Sequence, residues 1–300
     1  MQTQISADRG RAWSRLRGPA EAGLRAFGAA TAHWRPGPDF LVIGGKRCGS
    51  TTLFYGLLQH PAVVPQVLSA GWLPLREHRK GTRWLDADRP GGAWYRAHFA
   101  TTFTRSRYAR HQGVAITGEA TPWYLFAPGA AARAAREAPE ARLIAVLREP
   151  ARRAFSQFQE QRKRGHERLG DFAAALEAEP ERARNGVVDA SGVRRSAGFA
   201  IEHLTYRRQS EYVDGLAEWL AHYPREQLFV VSAEELYADV AATLARAADF
   251  LGLPEFAFEP AHRNRTAPAE PDPAVMAELA AHFAPLNTRL EHLLGQRFPW

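Results

Sequence analysis

The stretch LVIGGKRCGSTTLFYGLL (residues 41–58) opens as an unbroken apolar run, passes through two glycines and two adjacent cations, and continues with apolar residues at helical spacing. A buried strand ending at Gly44, a helix starting near Ser50 and a short turn between them are the expected local structure. In such a unit the first backbone N–H groups of the helix, here from about Cys48 to Thr52, have no partner within the helix, so the turn is an anion site. Gly49 lets the backbone approach closely, Ser50, Thr51 and Thr52 add hydroxyl donors, and Lys46 with Arg47 add charge. The Walker pattern places its lysine after the last glycine, whereas these cations come before it. No residue stands where a magnesium ion would be held, so an ATPase or GTPase is disfavoured.

Working outward, FLVIG (40–44), VAITG (114–118), RLIAVLR (142–148) and LFVVS (228–232) read as strands, and three of them are unbroken apolar runs. That is the pattern of parallel strands covered on both faces. Helical periods are expected over 50–59, 129–138, 151–164, 209–222, 239–251 and 273–294, the last broken at Pro285. The alternation predicts the α/β class, in three layers, with a central parallel sheet flanked by helices. Residues 179–198 and 254–273 are polar or rich in Pro and Arg, and are expected as surface loops.

A chain of 300 residues with 45% hydrophobic and 11% aromatic residues can bury one large core. The net charge of +7 implies an anionic partner or substrate, without separating nucleic acid, nucleotide, acidic glycan and membrane surface. The cations are mostly arginine, with Lys46, Lys80 and Lys163 the only lysines. The single cysteine, Cys48, excludes an intramolecular disulfide and a cysteine-built metal site. Residues 1–38 carry six arginines against Asp8 and Glu21 and run into RPGPDF. They are expected to form a basic, partly helical or disordered extension, with peripheral membrane contact as the alternative, before a domain over 39–300. No apolar run is long enough for a membrane span or a signal-peptide core, and a cytoplasmic location is expected.

A second anion site is expected in RLIAVLREPARRAFSQFQEQ (142–161). Arg148 leaves the carboxyl end of a buried strand, where open α/β sheets bind ligands, and Pro150 suits a first helical position. The planar guanidinium of Arg148 can grip a phosphate bidentately, and Ser156 can donate a hydroxyl to the same anion.

The two stretches together resemble a known family. GGKRCGSTTL (44–53) is similar to the 5′-phosphosulfate loop, and LREPARRAFSQF (147–158) to the 3′-phosphate segment, of sulfotransferases that use 3′-phosphoadenosine 5′-phosphosulfate (PAPS). The similarity extends through WYRAHF (94–99), GEATPWYLF (118–126), YPREQLFVVSAEELYAD (223–239), ADFLGLP (248–254) and LNTRLEHLLGQRFPW (286–300), matching the bacterial branch akin to heparan sulfate sulfotransferases. It implies a P-loop-like fold, PAPS as donor with adenosine 3′,5′-bisphosphate (PAP) as product, no metal, and no nucleic-acid partner. The acceptor is a glycan, a lipid or a small metabolite.

On the family's pattern the loop lysine aligns with Arg47, with Lys46 as its neighbour; these are the expected catalytic cations. Ser210 and Tyr212 in YRRQSEY (206–212) align with residues near the nucleotide, and Arg263 and Arg265 in HRNRT (262–266) fall in the loop expected to cover it. Trp72, Trp84, Trp94 and Trp123 are expected either to line an acceptor pocket or to fill the core. The family's glutamate base is missing: in RKGTRWLD (79–86), Gly81 replaces it and Arg83 replaces the following histidine. Asp86 and Glu119 are the leading substitutes, with Glu77 and His78 nearby. Family relatives often carry lysine where Ala120 stands. A non-catalytic nucleotide-binding relative and a P-loop kinase are the alternatives.

Overall fold

The computed structural model describes residues 23, 26–66, 80–86, 91–260 and 271–300. Glu77, His78, Trp72, Arg263 and Arg265 lie outside them. Six strands occur in chain order: β1 (Phe40–Gly44), β2 (Gly118–Ala120), β3 (Arg142–Leu147), β4 (Val187–Val188), β5 (Arg194–Arg195) and β6 (Leu228–Ser232). The main sheet has the order β2-β1-β3-β6, and every pairing in it is parallel. Strand β1 is buried along its whole length, which is why its run carries no polar alternation.

Alternate residues of the central strands feed two cores. Leu41, Ile43, Leu143, Ala145 and Leu147 pack with Leu216, Trp219 and Tyr223 on one face. Phe40, Val42, Ile144 and Val146 pack with Leu53, Phe54, Leu57 and Leu244 on the other. This is the three-layer α/β arrangement expected from the sequence, with helices over both faces. The chain leaves β1 toward β2 on one side and leaves β3 toward β6 on the other. The crevice between the carboxyl ends of β1 and β3 is therefore a topological switch point, where open sheets bind ligands.

Three expectations are corrected. The VAITG strand begins later, at Gly118, because residues 114–117 bond elsewhere: Ile116 N donates to Ala62 O and Val64 N to Ile116 O. The helix Pro273–Leu294 runs through Pro285 unbroken. A proline in a helix interior costs roughly 3 kcal/mol, and here Phe283 and Leu290 are buried on either side of it, each contributing roughly 1.5–3 kcal/mol by burial. Residues 179–198 are not a structureless loop; they hold the helix Glu179–Asn185 and the antiparallel β4–β5 hairpin.

That region is fixed by buried charge. Arg182 donates Nη1 to Glu167 Oε2 at 2.6 Å and Nη2 to Glu167 Oε1 at 2.9 Å, and Tyr206 Oη donates to Glu167 Oε2 at 2.7 Å. The Glu167 carboxylate thus ties the helix Glu179–Asn185 to the 204–210 segment, which packs on the helix Pro150–Lys163 through Phe158 and Tyr206. Among the described residues no helix is long and apolar enough to cross a membrane. Removing one partner of a buried pair strands the other charge, so Glu167→Ala is expected to lower unfolding stability by about 3–5 kcal/mol. Urea denaturation checks this, and a loss below about 1 kcal/mol would show that the pair is dispensable.

Candidate active site at the carboxyl edge of the sheet

The turn after β1 is held from behind by the sheet. Gly45 N donates to Val146 O at 2.5 Å, and Cys48 N to Gly45 O at 3.3 Å. Arg47 has φ 66° and Gly49 φ 101°, so two left-handed residues bend the chain into the helix Ser50–Leu57. No side chain caps that helix, which leaves its first N–H groups without a side-chain acceptor. Cys48 is fully buried under the turn, and burial pushes its thiol up to about 11. Ser50 and Thr52 are buried as well, and Thr52 Oγ1 has no hydrogen-bond partner.

The two cations of the turn diverge. Arg47 reaches across to the second expected site, where its Nε donates to Ser156 Oγ at 3.3 Å and its Nη1 lies 3.3 Å from Glu160 Oε2. Arg148 Nη1 lies 3.5 Å from the Arg47 carbonyl oxygen. Lys46 turns the other way: its Nζ sits 4.7 Å above the Trp123 ring and donates to Glu202 O at 2.9 Å and Glu202 Oε1 at 3.0 Å. A further cation arrives from the 80–86 segment, where Lys80 Nζ donates to Thr51 Oγ1 at 2.7 Å. Burial lowers Lys46 to about 8 despite the opposing pull of Glu202, and burial together with Arg47 lowers Lys80 to about 8.

Behind the crevice stands a cation that the sequence reading passed over. Arg153 is completely buried, Nη1 donates to Tyr206 O at 3.4 Å and Ser210 Oγ at 3.3 Å, and its Nε and Nη2 have no hydrogen-bond partner. Burial lowers its affinity for a proton. Ser210 and Tyr212 are buried too. Ser210 Oγ donates to Tyr206 O, and Tyr212 Oη donates to Arg148 O at 2.9 Å, so both brace the cationic residues from within. Buried guanidinium and hydroxyl groups lacking partners suit a site built to meet an anion.

The substitute bases fare differently from each other. Glu119 is fully buried in the middle of β2 and accepts from Thr82 N, Thr82 Oγ1, Tyr95 Oη, Thr121 Oγ1 and Tyr124 Oη. Burial raises its pKa against those donors, and its carboxylate anchors the 80–86 segment instead of facing the crevice. Asp86 accepts from Arg83 Nε at 2.8 Å. Arg83 in turn lies 2.6 Å from Glu202 Oε2. Trp84 and Trp123 are buried in the core, with Trp84 stacked on Tyr95. Glu202, from the helix Ala197–His203, was not singled out by the sequence, since its neighbourhood FAIEHL carries no motif.

A family model described as the sulfotransferase family matches residues 38–257. The chain belongs to the sulfotransferase family. Among curated relatives, it is 29% identical over 222 residues to a bifunctional heparan sulfate N-deacetylase/N-sulfotransferase 1 of Caenorhabditis briggsae, covering 74% of this chain and 23% of that protein. It is 29% identical over 216 residues to the mouse heparan sulfate glucosamine 3-O-sulfotransferase 3B1, covering 72% and 46%. The chain thus spans less than half the length of either relative. A sulfotransferase from Alicyclobacillus acidocaldarius superposes with a TM-score of 0.64 at 26% identity, over 87% of this chain and 97% of that one. The expected P-loop-like α/β fold agrees with this likeness.

Lys46 and Lys80 both lose their protons as pH rises through about 8. Binding of pyrophosphate, as a simple polyanion probe, is therefore expected to weaken from pH 7 to 9.5, by about tenfold per lysine. Titration calorimetry in buffers of different ionisation heat should show proton uptake on binding near pH 8, and pH-independent binding would contradict this.

Proposed function

We propose that the protein transfers a sulfuryl group from PAPS to a hydroxyl or amine of an acceptor and releases PAP. The observation that carries this reading is the meeting of two cation-bearing segments in one crevice, where Arg47 of the first turn touches Ser156 of the second and Arg148 closes on the Arg47 carbonyl. One doubly anionic nucleotide accounts for both.

When bound, the donor supplies an activated sulfuryl group on a phosphate leaving group. In this reading the uncapped backbone N–H groups of the first helical turn and the hydroxyls of Ser50, Thr51 and Thr52 hold the 5′ end, with Gly49 allowing close approach, and Arg148 with Ser156 holds the 3′-phosphate. Arg47 aligns with the family lysine, yet its side chain is turned toward Ser156; Lys46 and Lys80 are therefore assigned the charge developing on the bridging oxygen. With values near 8, either ammonium can also deliver a proton to that atom. Arg153 contributes buried positive charge behind Ser210. Alignment and electrostatics are what such an in-line transfer asks of a protein.

The acceptor belongs to the same proposal. The relatives are named for heparan sulfate, which makes a glycan the first class to try, before lipids and small metabolites. A cytoplasmic site of action is also part of the reading, consistent with a free, buried Cys48. The test is transfer of label from radiolabelled PAPS to de-N-sulfated heparin, heparan sulfate, phenols and aliphatic alcohols. Arg148→Ala is expected to weaken PAP binding about 10–100-fold, the worth of one charged hydrogen-bond pair. Unchanged PAP affinity in that variant would remove the 3′-phosphate assignment. Firm PAP binding with no transfer to any acceptor would favour the non-catalytic reading.

A further inference from the structure

The position that carries the family's glutamate is closed in this protein. A Cβ on Gly81 would meet Thr121 Oγ1 at 2.4 Å and Ala120 O at 2.6 Å, and Ala120 N is bonded to Lys80 O. The segment is clamped against β2 by Glu119, whose carboxylate is spent on that task. Asp86 has its side chain nearly covered and makes no ion pair with Lys46, and Glu160 pairs with Arg47 instead. Among the described residues one carboxylate remains beside the lysine of the first turn. Glu202 places Oε1 3.0 Å from Lys46 Nζ and Oε2 2.6 Å from Arg83 Nη2, with His203 Nε2 3.5 Å from Oε1.

We propose that Glu202 is the catalytic base, supplied from the helix Ala197–His203 in place of the glutamate that Gly81 excludes. This rests on the sulfotransferase reading above. In the step, the acceptor oxygen or nitrogen forms a bond to sulfur, the bond from sulfur to the bridging phosphate oxygen breaks with its electron pair leaving on PAP, and the acceptor's proton passes to the Glu202 carboxylate.

The surroundings keep the carboxylate ionised, and its basicity depends on one cation being drawn away. Burial alone would raise the Glu202 carboxyl, but the Arg83 hydrogen bond and the Lys46 charge hold it at about 2, so it is ionised at neutral pH. His203 is lowered to about 4 by burial and by Lys46, and so is neutral and adds no competing charge. Any shift of Lys46 toward a bound sulfuryl group removes one of the two cations and makes the carboxylate more basic. Lys46 also keeps a second acceptor, the Glu202 backbone carbonyl, so its position does not depend on the carboxylate alone.

The test is Glu202→Gln, with PAP and PAPS binding measured by calorimetry and label transfer measured on the acceptor panel and on water. PAP affinity is expected to stay within about twofold and PAPS affinity to hold or tighten, since a negative charge beside the sulfuryl group is gone, while transfer falls by about 10²–10⁴-fold. Glu202→Asp, which keeps the charge on a shorter arm, should recover part of the rate. Transfer within about fivefold of wild type overturns the proposal. So does a parallel loss of PAP affinity and transfer, which would mark Glu202 as a positioning residue for Lys46. Wild-type protein that binds no PAP at all fails the sulfotransferase reading itself, a separate outcome.

Discussion

Everything in the crevice depends on β1 and β3 lying side by side, parallel, with their onward connections leaving in opposite directions. Two turns that are a hundred residues apart in sequence then open at one edge, and both present cations there. Such crowding of positive charge is unfavourable in itself: burial lowers Lys46 and Lys80, neighbouring arginines add to that lowering, and Arg153 is buried with no partner for its Nε and Nη2. A polyanion in the crevice would offset that charge, which is the physical basis of the proposed nucleotide with phosphate at both ends.

The second feature is a division of labour among carboxylates. Glu119 looks in sequence like a candidate base at the end of a strand. The fold surrounds it with five donor groups and makes it the anchor of the 80–86 segment. That anchoring brings Lys80 to Thr51 and presses Gly81 against β2 so closely that no side chain fits. The same clamp that delivers one cation thereby leaves Gly81 no room for a side chain unless β2 shifts, and the proposed base comes instead from the helix Ala197–His203. Glu202 bridges Lys46 and Arg83, joining three segments distant in the chain.

The sheet was legible because buried parallel strands announce themselves as apolar runs: Phe40–Gly44 and Leu228–Ser232 match the expected bounds, and β3 differs by one residue. VAITG misled because its apolar residues are buried by a bridge to Val63, not by the β1 ladder. Pro285 misled because a local penalty is offset by apolar residues anchored on both sides of it. Within the site, the strand–turn–helix geometry of 40–57 and of 142–163 could be read from spacing, since it is local. The directions of Lys46 and Arg47, the burial of Ser210 and Tyr212, and the arrival of Glu202 could not, because each is set by contacts across 50 or more residues.

The account's central claim is that one crevice holds both ends of one nucleotide. The direct measurement is calorimetric comparison of adenosine 3′,5′-bisphosphate with adenosine 5′-monophosphate and adenosine 3′-monophosphate. The bisphosphate is predicted to bind at least about tenfold more tightly than either monophosphate, since each phosphate meets its own cations. Equal affinity for the bisphosphate and one monophosphate, or tighter binding of magnesium ATP, would contradict it.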